Sequence, residues 1–386
     1  MERQGQPRIR LGMVGGGEGA FIGGVHRMAA RLDDRFALVA GAFSSDADRS
    51  NRSGAALGID PSRVYDDFTA MAKREARLKD GIDAVAIVTP NHMHAPAARE
   101  FLRRGIHVIC DKPLTASLPE AKKLAATAAK SDALFILTHN YTAYPMIRQA
   151  REMVAAGDLG RIRVVQVEYP QDWLTEAIEA TGQKQASWRT DPERSGAGGC
   201  VGDIGTHAYN LARFVTGLGL EQLSAELTTF VEGRRVDDNV AVMLRFDGGA
   251  RGMLWASQVA VGHENGLRLR VYGDRGGIDW AQENPNALTF APFGEPPRRI
   301  TRAGPGAGAG AGAGAVSRIP AGHPEGYLEA FAALYAEAAD AIRAHAAGTA
   351  AMGLLPGIAD GVEGMAFIDA CLRSSSRNGA WVSLAL

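Results

Sequence analysis

Cysteine is scarce in this sequence: there are three in 386 residues, Cys110, Cys200 and Cys371, far apart and without a CxxC pairing. That excludes a disulfide-stapled scaffold and a cysteine-based structural zinc site, and it points to a reduced, cytoplasmic protein. An excess of one charge is also lacking. The 42 basic and 43 acidic side chains give a formal net charge of -1 and are interspersed along the chain, so neither nucleic acid nor a membrane surface is expected as the main partner. No run of roughly 18 uninterrupted apolar residues is present to span a membrane. The Met1–Arg8 lead is polar, lacks an apolar signal core and runs straight into the first strand.

What the chain does have is length and apolar mass for two cores. With 386 residues, 46% of them hydrophobic, two domains are expected, 1–139 and 140–386. Up to residue 139 short apolar runs alternate with helical patterns. Ile9–Val14, Phe36–Ala42, a short Val64–Tyr65, Ala84–Val88, Ile106–Cys110 and Ala133–Thr138 read as six strands of a doubly wound parallel sheet, an α/β arrangement of Rossmann type. In such sheets ligands sit beyond the carboxyl ends of the strands, so the residues that follow each strand are the candidates for chemistry.

Gly15-Gly16-Gly17-Glu18-Gly19-Ala20 follows the first strand and opens a helix. A glycine turn in that context lets backbone amides approach a pyrophosphate at the positive helix end. Gly15, Gly17 and Gly19 are the candidate phosphate contacts; the third small residue of the fingerprint is either Ala20 or, with a longer loop, Gly23. The second strand runs out into Ser44-Ser45-Asp46. Asp46 has the spacing of an acid that takes the ribose hydroxyls of NAD, Ser44, Ser45 and Arg49 could instead hold the 2′-phosphate of NADP, and Asp46 equally fits the N-cap of the next helix. Thr89-Pro90-Asn91-His92-Met93-His94 forms another polar cluster at a strand end. The Ile106–Cys110 run stops in Asp111-Lys112-Pro113, where proline cannot donate to a ladder and keeps Lys112 extended, aimed out of the sheet edge. A solvated turn lysine is the plain alternative.

Beyond Arg161 the strands lengthen and tend to alternate, as in Arg163–Tyr169, Val240–Phe246, Arg251–Val259 and Leu267–Tyr272, with hairpin punctuation at Asp247-Gly248-Gly249 and Gly273–Gly277. A large, mostly antiparallel sheet in an α+β domain is expected, one face open for assembly into a homo-oligomer. The Gly304–Ala315 tract is a Gly-Ala repeat too poor in side chains to build a core, and a mobile surface loop is expected there. A helix over Glu325–Ala346, a segment around Ile358–Leu372 and a short strand at Trp381–Leu384 close the chain.

A second chemical cluster lies in Cys200–His207. Asp203 and His207 are four apart on a helix start crowded with glycine, so a carboxylate can stand beside an imidazole, fix its tautomer and raise its basicity. Alternatively Asp203 caps the helix and His207 is a satisfied core histidine; a metal site is disfavoured because no further histidine or acid recurs at ligand spacing. Gln171-Asp172-Trp173 and Ser187-Trp188-Arg189 combine indole faces with charged hydrogen-bonding groups, a mixture suited to a polyhydroxylated ring.

Together Val14-Gly15-Gly16-Gly17, Thr89-Pro90-Asn91-His92, Cys110-Asp111-Lys112-Pro113 and Gly202-Asp203-Ile204-Gly205-Thr206-His207, in that order, resemble over nearly the whole chain the Gfo/Idh/MocA family, that of glucose-fructose oxidoreductase and inositol dehydrogenase. The resemblance implies NAD-dependent oxidation of a sugar, anhydrosugar or cyclitol hydroxyl, with NADP as the alternative cofactor. It gives Lys112 the role of the family's lysine, Asp203 that of the substrate-binding acid and His207 that of the proton-transfer histidine. Cofactor contacts would add Thr89, Pro90, Asn91, His94, Asp111, Asn140, Trp188 and Arg189 to the glycine loop. Substrate contacts would include Tyr141, Asp172, Trp173 and Arg189 beside the catalytic three. Asp111 departs from the family's glutamate, one methylene longer. Two other activities fit the resemblance: an NAD-dependent glycosidase, and a non-catalytic dinucleotide-binding regulator.

Overall fold

The computed structural model describes residues 6–350 and 353–386, so residues 1–5 of the polar Met1–Arg8 lead lie outside the described residues. The chain forms two compact units. The first is built from the described residues of Met1–Thr115, Pro119–Thr138 and Tyr327–Val362, the second from Ala116–Leu118, His139–Gly326 and Glu363–Leu386.

In the first unit, strands and helices alternate: β1 (Ile9–Gly15), α1 (Phe21–Leu32), β2 (Phe36–Ala42), α2 (Ala47–Ala56), α3 (Phe68–Glu75), β3 (Ala84–Val88), α4 (His94–Leu102), β4 (His107–Cys110), α5 (Leu118–Ala128) and β5 (Phe135–Leu137). The strands make one five-stranded sheet in the order β2-β1-β3-β4-β5, every neighbouring pair parallel. Its strands are apolar because helices cover both faces; all five residues of β3 are buried. The order switches between β1 and β3, so the ends of those strands flank the crevice where open α/β sheets take ligands. The expected strand at Val64–Tyr65 shrinks to an isolated bridge between Val64 and Gly41. The turn Pro61–Arg63 just before it and the Asp67 cap of α3 just after leave no room for a longer ladder.

The second unit carries α6 (Pro145–Ala156), β6 (Ile162–Pro170), α7 (Lys184–Arg189), α8 (Pro192–Ser195), a π turn over Val201–Gly205, α9 (Thr206–Thr216), β7 (Leu220–Thr228), β8 (Asn239–Phe246), β9 (Arg251–Ser257), β10 (Arg268–Gly273), β11 (Gly276–Ala281), β12 (Ala287–Pro292), β13 (Arg298–Thr301) and α10 (Ala311–Ala315). Its eight-stranded sheet runs β13-β12-β11-β10-β6-β9-β8-β7, antiparallel except for the β6–β9 pair. Inward positions such as Val242, Leu254, Val271 and Trp280 are buried, while Met243, Met253, Trp255 and Tyr272 stand exposed on the other face. The Trp381–Leu384 segment contributes one bridge, Val382 to Leu223.

The Gly-Ala tract is packed, contrary to the surface loop expected. Its α10 turn lies on α6, with Ala313 fully buried and Gly312 N–H donating to the Glu152 carboxylate at 2.5 Å. Small residues allow this: a Cβ on Gly312 would come within 2.7 Å of Glu152 Oε1, and one on Gly308 within 1.9 Å of Thr301 O.

α11 (Tyr327–Ala346) belongs to the first unit and packs on α1, with Phe331, Tyr335, Ala338 and Ala339 in the same core as Val25 and Ala29. α12 (Ile358–Ser375) follows, and in the second unit its Phe367 ring stacks on Tyr209 with centroids 4.2 Å apart. Among the described residues no helix is long and apolar enough to cross a membrane.

Candidate active site

At the end of β1, Gly15 and Gly16 adopt φ of +80° and +73°, a left-handed backbone that glycine takes without steric cost. Gly19 follows at +72°. Gly17 donates to Phe43 O at 3.2 Å, and a Cβ there would lie 2.7 Å from Ser53 Oγ. Ala20 is the N-cap of α1 and supplies no side-chain cap, which leaves the positive helix start to an anion. Inside the first turn, a Cβ on Gly23 would be 2.3 Å from Gly16 Cα, so the close helix-to-strand approach of the fingerprint is made at Gly23. Across the crevice the Thr89 hydroxyl is buried with no hydrogen-bond partner. Glycines a side chain would fill, an uncapped helix start and an orphaned hydroxyl fit the pyrophosphate end of a dinucleotide.

Asp46 is the N-cap of α2, accepting from Arg49 N at 2.7 Å, and Ser44 Oγ accepts from Asp46 N at 3.1 Å. Ser45, Asp46 and Arg49 are exposed at this corner. After β3, Pro90 leads into a short turn over Asn91–Met93, with Asn91 buried. His94, expected at the cofactor, is fully buried: Nδ1 is 2.8 Å from Pro113 O and Nε2 2.9 Å from Thr89 O. Its ring therefore ties the β3 exit to the β4 exit. Burial lowers its pKa, against the pull of Asp111 and of the two carbonyls.

β4 ends in half-buried Asp111 and Lys112, and the Lys112–Pro113 peptide is cis. Asp111 Oδ1 accepts from Thr138 Oγ1 at 2.9 Å. Burial alone would raise the Asp111 pKa, but His26, Lys112 and His94 hold it well below the usual carboxylate range.

In the second unit, Asp203 sits in the π turn, a widened form of helix that recurs at functional sites. The Asp203 carboxylate does not cap the helix. It is shared by Arg189 Nε at 3.2 Å and Gln258 Nε2 at 3.0 Å. The cap comes instead from Asp237, whose two oxygens accept from Gly199 N at 2.6 Å and Val201 N at 2.8 Å. Burial pushes the Asp237 carboxyl up to about 6. The Arg189 guanidinium lies 4.3 Å over the Trp188 ring and 5.9 Å from that of Trp173, whose Nε1 donates to Gln171 at 3.1 Å. The Asp172 carboxylate accepts from Gly262 N at 3.1 Å, bracing a loop.

His207, in the first turn of α9, is 7% exposed, edge-on to Tyr141 at 4.8 Å and to His139 at 5.6 Å. Tyr141 OH meets Tyr169 OH at 2.5 Å, and burial, opposed by that bond and reinforced by the Asp203 charge, raises the Tyr141 pKa. Next to Tyr141, Asn140 is buried, and its amide nitrogen has no hydrogen-bond partner. Among the described residues no cluster of three or more His, Cys, Asp or Glu gathers that could hold a metal. Asp237 and Gln258 had no motif to mark them; each meets the site from a distant strand end.

Residues 9–152 match the model of an oxidoreductase family with an NAD-binding Rossmann fold, and residues 147–279 match the GFO/IDH/MocA C-terminal domain. An oxidoreductase from Sinorhizobium meliloti of known structure is 60% identical, covering 98% of this chain and 100% of its own, with a TM-score of 0.88. An inositol dehydrogenase homolog from Azotobacter vinelandii, solved in complex with NAD+, is 38% identical over 97% of each chain, with a TM-score of 0.93. Levoglucosan dehydrogenase of Pseudarthrobacter phenanthrenivorans is 27% identical over 97% of this chain and 98% of its own. With both halves matched and relatives aligned nearly end to end, the chain belongs to the Gfo/Idh/MocA family of oxidoreductases.

Proposed function

We propose that this oxidoreductase removes hydride from a secondary hydroxyl carbon of a sugar, anhydrosugar or cyclitol, with Lys112, Asp203 and His207 as the working side chains. NAD, when bound, supplies the hydride acceptor. His207 takes the hydroxyl proton; enclosed by Tyr141 and His139 and 7% exposed, its ring is shielded from competing water. The Lys112 ammonium stabilises the oxygen as it gains negative charge. Asp203 accepts from a neighbouring substrate hydroxyl, kept in line by Arg189 and Gln258. The indoles of Trp173 and Trp188 offer faces to ring C–H groups.

The observation that carries this reading is the Asp203 carboxylate fixed by two donors beside Trp173 and Trp188. A directed acceptor next to apolar faces recognises a polyhydroxylated ring better than an aliphatic alcohol or an acid. Relatives named for inositol and levoglucosan support the same substrate class. A panel of monosaccharides, inositols and anhydrosugars, read by absorbance of reduced cofactor with NAD and NADP in parallel, tests it. Turnover on a ring polyol is the expected result, and turnover confined to acyclic alcohols or hydroxy acids would overturn it.

Two coarser expectations extend this reading. The exposed Met243, Met253, Trp255 and Tyr272 favour self-association through the open sheet face. The three cysteines, all buried free thiols, suit a cytoplasmic setting.

A further inference from the structure

One cation of the first unit stands where helix electrostatics favours an acid. The start of α1 has no acidic residue in its first turn and no side-chain cap. Arg27, in the second turn, is folded back along the helix. Its Nη1 donates to Gly16 O at 2.5 Å and lies 3.6 Å from Met13 Sδ, and its Nη2 is 4.0 Å from where a Cβ on Gly24 would be, in the first turn. Cations favour the C-terminal end of a helix, because unpaired N–H groups make the other end positive. Here a guanidinium and a positive helix end are gathered at one turn.

Nothing within the first unit balances that charge. Among the described residues no carboxylate comes within ion-pair distance of Arg27; its acceptors are a carbonyl and a thioether. The charged neighbour on its own helix is Arg31, which repels it, and the acid of the glycine loop, Glu18, has Arg52 at 3.6 Å. Arg27 is half-buried, and burial and Arg31 both lower its pKa, so the charge is held at a cost. The loop amides are also committed. Gly17 N donates to Phe43 O at 3.2 Å, Glu18 N to Ser53 Oγ at 3.0 Å and Ala20 N to Gly17 O at 3.0 Å. Because Gly16 O accepts from Arg27 and Gly17 N donates to Phe43, the peptide between the two glycines is fixed at both ends. With these amides used internally, recognition of an anion falls to the start of α1 and to Arg27.

We propose that Arg27 is the counter-charge for the diphosphate of NAD. Its guanidinium adds a full positive charge to the partial charge of the α1 start, and the bond to Gly16 keeps it at the glycine loop. A bound diphosphate neutralises a cation that the fold leaves uncompensated. The inference rests on the NAD-binding fold and is independent of the roles given to Lys112, Asp203 and His207.

Arg27→Met keeps an apolar stem and removes the charge, whereas Arg27→Lys keeps the charge and loses the planar fork. Binding is read without turnover, by fluorescence titration of NADH with ADP-ribose and adenosine as competing ligands. At low salt R27M should bind NADH and ADP-ribose at least roughly tenfold more weakly than wild type, and adenosine, which lacks the diphosphate, within about twofold. R27K should keep NADH affinity within about threefold of wild type. Added salt should weaken NADH binding less in R27M than in wild type, because screening acts on the charge and not on the shape of the turn. Unchanged NADH affinity in R27M, or a loss with the salt dependence of wild type, would overturn the proposal. Should R27M fail to fold, the wild-type protein decides. Modification of Arg27 by phenylglyoxal, read by peptide mass spectrometry against Arg31, should be slowed at least roughly threefold by saturating inorganic pyrophosphate or ADP-ribose, and not by adenosine. Equal rates with and without pyrophosphate and ADP-ribose would overturn it.

Discussion

Arg189 holds Asp203 through Nε and lays its flat guanidinium over Trp188, two jobs a lysine cannot do together. Arg189→Lys should raise KM for the sugar roughly tenfold and lower kcat less than about threefold, because Asp203 loses alignment in the ground state; steady-state kinetics with an unchanged KM would contradict this. Asp237 gives a pH prediction. Its carboxyl is raised from an ordinary 3.8 to about 6 by burial, so the folded state disfavours the charged form. At ~1.4 kcal/mol per pKa unit, that penalty is on the order of 3 kcal/mol at neutral pH and is relieved as pH falls through 6 toward 4. Asp237→Asn cannot titrate, so wild type should gain thermal stability relative to the variant between pH 7.5 and pH 5. Scanning fluorimetry would contradict this if the difference in Tm stayed constant. At this scale the sequence spoke where partners are near neighbours: Lys112, Asp203 and His207 each stand in a local motif. Gln258 and Asp237 do not, since the groups they serve lie 55 and 36 residues away, and no local pattern carries such a pairing.

Helix α1 shows how one residue fixes an element against its sheet. Gly23 must lack a side chain because a Cβ would sit 2.3 Å from the Gly16 backbone, while one residue on, at Gly24, the nearest atom is the end of the Arg27 side chain at 4.0 Å. Gly23→Ala should therefore cost about 1–3 kcal/mol by overpacking and weaken NAD binding at least roughly tenfold. Gly24→Ala should be neutral or stabilise by up to ~1 kcal/mol, as alanine does in a helix. Thermal unfolding and a cofactor titration check both, and equal effects of the two substitutions would be contradictory. Strands and helices with a strong apolar period were legible. The glycine loop was legible as a phosphate cradle but not in its third glycine, because the choice between Ala20 and Gly23 depends on how tightly α1 approaches β1. The Gly-Ala tract misled for a related reason: lack of side chains reads as lack of structure, whereas here it lets the backbone lie directly on α6.

At the scale of the molecule, alternation along β8, β9 and β10 announced a sheet with one open face, and Met243, Met253, Trp255 and Tyr272 form its exposed side. Strand order was not legible, because the parallel β6–β9 pairing joins strands between which α7 to α9, β7 and β8 intervene in the chain. If that face makes the oligomer, Met243→Lys combined with Trp255→Glu should yield monomers by sedimentation, and an unchanged assembly state would contradict it.

The proposal that Lys112 and His207 serve one substrate hydroxyl is tested most directly by a double-mutant cycle in kcat/KM. Lys112→Ala, His207→Asn and the double variant would each be assayed on the best ring polyol, with NAD affinity measured separately by titration. If both side chains act on the same proton and oxygen, the double variant should lose little more than the worse single variant, NAD affinity staying within about threefold. Losses that simply multiply, or turnover that survives either single substitution, would contradict it.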